Sequence, residues 1–228
     1  MTELGQRYQA IVGAIATAAK SANRDPNDIT LIVVTKNHPH QLVLDLLELG
    51  ARDFGENRDQ EANPKAKQVA IESDQDLNWH FIGQLQTNKV KSVLEYASFL
   101  HSLDRTSLLE ELIKRTATKP IPLKVFVQVN MTDDPERGGV NPTDLMAFAE
   151  RVLSSPGLEL KGLMGVGGLD VAPELEFEKL AQYSAQLRQL APGATGLSMG
   201  MSGDFDTAIA YGATHLRIGT AITGKRPI

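Results

Sequence analysis

No cysteine occurs among the 228 residues, which excludes a disulfide framework, a thiol nucleophile and any zinc site built on cysteine. Positive charge is not in excess either. Lys and Arg number 23 against 28 Asp and Glu, and a net charge of -5 does not suit nucleic acid or an anionic membrane as the main partner. Apolar runs are short, and none is long enough to span a bilayer. The first twenty residues carry Glu3 and Arg7 inside a helical pattern, where a secretory signal would need an unbroken apolar stretch. A cytoplasmic protein is the expectation. With 22% charged and 42% hydrophobic residues, the balance is that of a chain with a packed core.

What is present is alternation. Leu4, Tyr8, Ile11, Val12, Ile15 and Ala19 recur at helical spacing and predict a helix over 3–22. Leu31 to Val34, with Ile29 before them, predict a strand buried on both faces. The next helix holds Leu42 to Leu49, with Gly50 as its closing residue. Strands then follow at 52–55, 79–83, 98–101, 123–130, 158–164, 196–199 and 214–218. Helices are expected between them at 60–71, 87–96, around 108–113, from Asn141-Pro142, at 173–190 and at 203–211, with a short last one near Thr220. Eight strand–helix alternations without a composition break predict a single (β/α)8 barrel domain over 1–228, preceded by an extra N-terminal helix. An open doubly wound sheet is the alternative arrangement.

In a barrel, the carboxyl ends of the strands line the mouth where ligands bind. Lys36 stands at the end of the first strand, where an amine facing a pocket can form a Schiff base and one facing water only solvates the strand end. On the far side, SMGMSGDFD places Ser202 to cap a helix between Gly200 and Gly203, and HLRIGTAITG opens the last turn at Gly219 and Thr220. Loops after strands seven and eight commonly hold a phosphate in such barrels. A phosphate site opposite a strand-end lysine points to an aldehyde-bearing phosphate, and pyridoxal 5'-phosphate fits best.

The segments VVTKNHP, FGENRDQE, WHFIGQLQTNK, HSLD, VQVN, GLMGV, LSMGMSGDFDTAI and RIGTAITGKRP run in order from the first strand to the C-terminus. In them the chain resembles the pyridoxal phosphate homeostasis protein family, related in fold to the N-terminal barrel of bacterial alanine racemases. The resemblance implies that Lys36 carries the cofactor as an internal aldimine. It implies that Ser202, Gly219 and Thr220 hold the phosphate, that Met201 packs by the ring and that Arg217 faces the pyridine nitrogen. Asn57 and His80 are expected to flank the ring or its lysine, although His80 beside Trp79 also reads as a hydrogen-bonded core residue. Two positions depart from the family pattern. Pro64 lies inside the helix expected after GENRDQE, so that helix is expected to start late. Glu136-Arg137-Gly138-Gly139 stand where the family often has a lysine before glycine, so an anion contact from that loop is not carried over. His38 and His40 flank Pro39 without acidic neighbours and read as surface, so no metal site is expected.

Arg217 bears on the chemistry. A guanidinium about 4 Å from a protonated pyridine nitrogen repels it by roughly 4 kcal/mol at an effective dielectric of 20, which keeps the ring neutral and a poor electron sink. The related racemases add a tyrosine base from a second domain. Here the chain ends at Ile228, and Tyr8, Tyr96, Tyr183 and Tyr211 all fall in predicted helices. The expectation is a cofactor-binding and cofactor-buffering protein of the cytoplasm with no efficient catalysis. It would act as a monomer and pass the cofactor to apo-enzymes. A pyridoxal phosphate-dependent amino-acid racemase and a Schiff-base aldolase are the alternatives, with Glu56 and Asp104 as possible general acids and Asp104 equally a helix cap.

Overall fold

A computed structural model describes residues 2–132, 138–167 and 171–224. Glu136 and Arg137 of the loop that departs from the family pattern, and the Lys225-Arg226-Pro227 end of the last motif, lie outside the described residues. Eight parallel strands close on themselves in sequence order: β1 (Thr30–Val34), β2 (Asp53–Glu56), β3 (Asn78–Phe81), β4 (Phe99–Leu103), β5 (Leu123–Gln128), β6 (Leu158–Met164), β7 (Gly196–Ser198) and β8 (His215–Ile218). β8 returns beside β1, pairing Ile32 with Arg217 and Val33 with Ile218. The expected (β/α)8 barrel is therefore what forms, and the open sheet is not.

Helices wrap the outside: α1 (Glu3–Ser21), α2 (His40–Glu48), α3 (Asp59–Glu72), α4 (Val90–Val93), α5 (Thr106–Thr116), α6 (Leu145–Leu153), α7 (Pro173–Leu190), α8 (Phe205–Ala210) and α9 (Thr220–Thr223). Successive strand residues point to opposite faces, and the two faces differ in character here. Val33, Phe54, Trp79, Phe81 and Val127 point outward into one continuous apolar layer, which Leu108, Leu109 and Leu112 of α5 and Leu180 and Leu187 of α7 complete. Each such side chain contributes roughly 1.5–3 kcal/mol when fully buried. Phe99, Phe126 and Met164 point inward and form a separate small cluster inside the barrel. Strand β6 reaches its register with β5 and β7 through Gly162, whose φ is 148°. A Cβ at Gly162 would lie 1.9 Å from the Gly196 carbonyl oxygen, so only glycine fits.

Gly50, with φ 96°, ends α2 as its position predicts, and the Asn141 side chain accepts from the Thr143 N–H at 3.0 Å to open the turn into α6. Three expectations need correction. The helix after GENRDQE starts at Asp59 and carries Pro64 inside it. Pro64 is on the exposed side in the second turn, where the carbonyl it leaves without a partner belongs to exposed Gln60. The helix expected over 87–96 shrinks to a 3-10 turn (Thr87–Lys89) and the single turn of α4, which Val90, Val93 and the following Leu94 anchor to the barrel. Lastly, Ser202 does not cap α8. That helix begins at Phe205 after Asp204, whose Oδ1 accepts from the Met201 N–H at 2.6 Å, so the acid two residues on ties the turn together.

Candidate functional site

Lys36 lies one residue past Thr35, just beyond the end of β1, half-buried at the mouth of the barrel. The chain is held on both sides of it. Thr35 is fully buried, donates its hydroxyl to Glu56 Oε1 at 2.7 Å and its N–H to the Gly55 carbonyl at 3.1 Å. Lys65, from the inner face of α3, reaches the Thr35 carbonyl at 2.9 Å, Glu56 Oε1 at 2.6 Å and Glu61 Oε1 at 3.2 Å. Asn37 follows in the left-handed region at φ 62°, and its N–H is hydrogen-bonded to Glu61 Oε1. The Glu56–Lys65 pair is almost completely buried. Burial pushes the Glu56 carboxyl up, against the opposing pull of the Lys65 ammonium and the Thr35 hydroxyl. By contrast, no hydrogen bond or ion pair ties the Lys36 amine to another described residue.

The adjoining wall of the mouth comes from β7 and β8. Gly219 sits beside the end of β1, and a Cβ built on it would meet the Val34 Cβ at 3.4 Å and the Val34 carbonyl at 3.5 Å. Gly219 precedes α9; the Ile222 and Thr223 N–H groups turn back to its carbonyl at 2.8 and 3.0 Å, and those of Thr220 and Ala221 have no intrahelical acceptor. Ser202, Gly203 and Met201 form an exposed turn after β7, with Met201 43% exposed. Gly200 enters that turn at φ 90°, in a space where a Cβ would lie 2.6 Å from the Ala208 Cβ. Arg217 is buried. Its Nη1 donates to Ser198 Oγ at 2.8 Å and its Nη2 to the Gly165 carbonyl at 2.9 Å. No carboxylate pairs with it among the described residues, and burial brings its pKa down to about 10, so it is charged at neutral pH.

The register therefore brings Lys36, Arg217 and Gly219 together on adjoining strand ends, with Ser202 and Thr220 in the loops beside them. Asn57 follows β2 on the lysine's side, and its Oδ1 is buried with no hydrogen-bond partner among the described residues. A cavity of about 280 Å³ opens beside it, bounded by Arg58, Gln84, Gln86 and Lys89. His80 does not join them. It stacks on Phe99 inside the barrel with ring centroids 4.3 Å apart, its Nε2 is 2.9 Å from Asp53 Oδ1 and its Nδ1 is 2.9 Å from His101 Nε2. Burial holds the His80 imidazole neutral against the pull of Asp53. Burial also pushes the Asp53 carboxyl up, but the hydrogen bonds from His80 and Asn78 outweigh it and leave it below the usual carboxylate value. With His80 neutral, that contact is a hydrogen bond and not an ion pair. Asp104, far from capping a helix, is bound by its neighbour Arg105 at 2.6 Å.

Two groups escaped the sequence reading. Lys65 lies in a stretch so polar that nothing distinguishes it from surface lysines. Asp53 and His215 share the barrel interior with His80, His101, Ser198 and Arg217. The signal for these was present: Asp53, Gly55 and Asn57, like His215 and Arg217, stand two apart on one strand and so face the same side.

The family model described as the alanine racemase N-terminal domain matches residues 9–227. A protein named pyridoxal phosphate homeostasis protein from Pseudomonas aeruginosa is 39% identical, covering 99% of this chain and 97% of its own. One of the same name from Vibrio cholerae is 36% identical, over 99% and 98% of the two chains. Among solved structures, PipY of Synechococcus elongatus with pyridoxal phosphate bound superposes with a TM-score of 0.85 at 32% identity, over 97% of this chain and all of PipY. The chain thus belongs to the family of pyridoxal phosphate homeostasis proteins, built on the alanine racemase N-terminal domain.

Proposed function

We propose that this protein binds pyridoxal 5'-phosphate at the carboxyl mouth of its barrel and serves intracellular homeostasis of that cofactor as a buffer or carrier. The observation that carries the reading is the β1–β8 register, which sets a lysine, a buried guanidinium and a glycine-led turn on adjoining strand ends. The residues present fit the cofactor. When bound, it supplies an aldehyde for a lysine amine, a phosphate dianion and an aromatic nitrogen. Lys36 Nζ is the amine, on backbone fixed at Thr35 and Asn37. The Ser202 hydroxyl and the backbone amides from Gly219 and Thr220 receive the phosphate, since hydrogen bonds to a charged acceptor contribute about 1.5–3 kcal/mol each. Arg217, a buried cation whose partners among the described residues are a hydroxyl and a carbonyl, offers its remaining N–H groups to the ring nitrogen. Met201 lies over the mouth as an adaptable apolar surface. The partnerless Asn57 Oδ1 is an acceptor that the ring's substituents or the lysine amine satisfy.

The same geometry supports holding the cofactor over using it. A cationic Arg217 disfavours a protonated ring nitrogen. Tyr8 and Tyr183 lie in α1 and α7, Tyr96 follows α4 and Tyr211 ends α8, so no tyrosine stands at a strand end to act as a base. We read the chain as a cytoplasmic monomer that exchanges its cofactor with apo-enzymes. The test is to mix the loaded protein with an apo-enzyme that needs the cofactor, with and without prior borohydride reduction. Untreated protein is expected to restore the enzyme's activity and reduced protein to fail, with the reduced adduct on Lys36. An adduct on Lys65 or Lys89 would overturn the assignment.

A further inference from the structure

A barrel interior is ordinarily filled with apolar side chains, but here a continuous polar chain crosses it. It starts at Asp53, whose side chain is 22% exposed at the amino end of β2. It passes to His80 Nε2 at 2.9 Å, from His80 Nδ1 to His101 Nε2 at 2.9 Å, from His101 Nδ1 to Ser198 Oγ at 2.8 Å, and from Ser198 Oγ to Arg217 Nη1 at 2.8 Å. Phe99 stacks on His80 and Phe126 on His101, so both imidazoles are gripped in plane.

Only one arrangement of hydrogens satisfies every member. Arg217 can only donate, so Ser198 Oγ accepts from it and sends its own hydrogen to His101 Nδ1. His101 then carries its proton on Nε2 and donates to His80 Nδ1. His80 carries its proton on Nε2 and donates to the Asp53 carboxylate. All four bonds run in one direction, from the fixed cation to the fixed anion. The reverse tautomers would turn a His80 lone pair onto the Asp53 carboxylate and leave Ser198 facing two donors. His215 and Lys124 face the same column from β8 and β5 without joining it. His215 Nδ1 is engaged by the Thr214 hydroxyl at 2.8 Å, and the Lys124 ammonium lies 4.8 Å over the Phe99 ring.

We propose that Asp53, His80, His101 and Ser198 are positioning residues for the ring-nitrogen contact: their aligned hydrogen bonds commit the Ser198 lone pair to Arg217 and so fix the guanidinium that meets the cofactor's ring. The proposal rests on the cofactor site described above and extends it through the barrel to the opposite solvent face. Its consequence is that a change at the barrel floor alters recognition of one ligand atom at the mouth.

The test pairs a variant with a ligand that lacks that atom. His101→Phe keeps the stack on Phe126 and cuts the chain. Affinities are measured for pyridoxal phosphate and for its analogue with carbon in place of the ring nitrogen. Wild type is expected to prefer the natural cofactor by about tenfold to a hundredfold, the range for a hydrogen bond to a charged donor. In His101→Phe that preference should fall at least about fivefold while analogue binding stays level. Asp53→Asn should shift it the same way by less. A preference retained in both variants, with normal cofactor binding, overturns the proposal alone. Wild type binding neither ligand overturns the cofactor site and the proposal together. Nitrogen-15 spectra of the ligand-free protein give a second decision, free of any folding defect in the variants. His80 and His101 are expected as neutral rings protonated on Nε2, and either ring found in the other tautomer or doubly protonated overturns the relay.

Discussion

The two walls that meet at the β1–β8 seam of the mouth are built by opposite means. On the β1–β2 side the backbone on each side of Lys36 is held by a charged side chain: the buried Lys65 and Glu56 fix Thr35, and the partly exposed Glu61 fixes Asn37. On the β7–β8 side the turn of Met201 to Gly203 is exposed and tied to the body mainly by Asp204. A lysine that must present one amine at one point needs a backbone that cannot shift. A phosphate with several acceptor oxygens can be met by a softer turn that orders around it. Rigidity on one wall and adaptability on the other suits a site that grips its ligand covalently and still releases it.

The largest expected effect breaks the rigid wall. Lys65→Met removes one partner of a buried pair and leaves the Glu56 carboxylate alone beside Thr35. Loss of a single buried partner costs about 3–5 kcal/mol, whereas replacing both by apolar residues of similar volume is often neutral. Urea titration should therefore show Lys65→Met strongly destabilised, and Glu56→Leu combined with Lys65→Met recovering most of the loss. Additive losses in the double variant would mean the two side chains act separately.

Next in size is acid. Burial holds His80, His101 and His215 below the ordinary histidine value, His215 at about 3. Below about pH 6.5 the unfolded chain takes up protons that the folded imidazoles refuse, so folding weakens as pH falls from there. Each histidine contributes up to about 1.4 kcal/mol per pH unit to that loss until its own folded value is reached. Stability measured at pH 7.5 and 5.5 should drop by several kcal/mol. A flat profile would mean the imidazoles are already charged in the fold.

How much of this could be read from the chain depends on what each feature rests on. The barrel, the lysine and the glycine turns were legible because strand periodicity and glycine placement are local. The Gly50 stop and the Asn141 cap followed from single residues. The start of α3 and the length of α4 were misjudged because tertiary anchoring decided them: Pro64 is tolerated where its carbonyl partner faces water, and α4 extends only as far as the buried Val90, Val93 and Leu94 hold it. The relay and the Lys65 network were missed for another reason. Their members come from strands and helices far apart in sequence, and only the closed register makes them neighbours.

The adaptable wall is tested through one hydroxyl. Ser202 does not cap α8, so its side chain is free to serve the ligand. Ser202→Ala should weaken pyridoxal phosphate binding roughly tenfold to a hundredfold, the equivalent of about 1.5–3 kcal/mol, and leave unphosphorylated pyridoxal nearly unchanged. Because the turn is exposed, the melting temperature should hardly move. Equal losses for both ligands would place Ser202 in the fold and not in the phosphate site.

The smallest effect returns to the rigid wall and asks whether the conformation beside the lysine matters in itself. Asn37 sits at φ 62°, where a side chain with a Cβ costs about 1–2 kcal/mol and asparagine is among the few residues that tolerate it. Its N–H meets Glu61, which also receives Lys65, so the turn and the buried pair share an acceptor. Asn37→Ala keeps that N–H but loses asparagine's tolerance, whereas Asn37→Gly keeps both. Alanine is expected to lower stability by about 1 kcal/mol and to slow attachment of the cofactor to Lys36, followed by its absorbance. Glycine should match the natural protein in attachment rate. If alanine and glycine behave alike, the side-chain amide of Asn37 is what counts, and the left-handed turn is incidental to how Lys36 is presented.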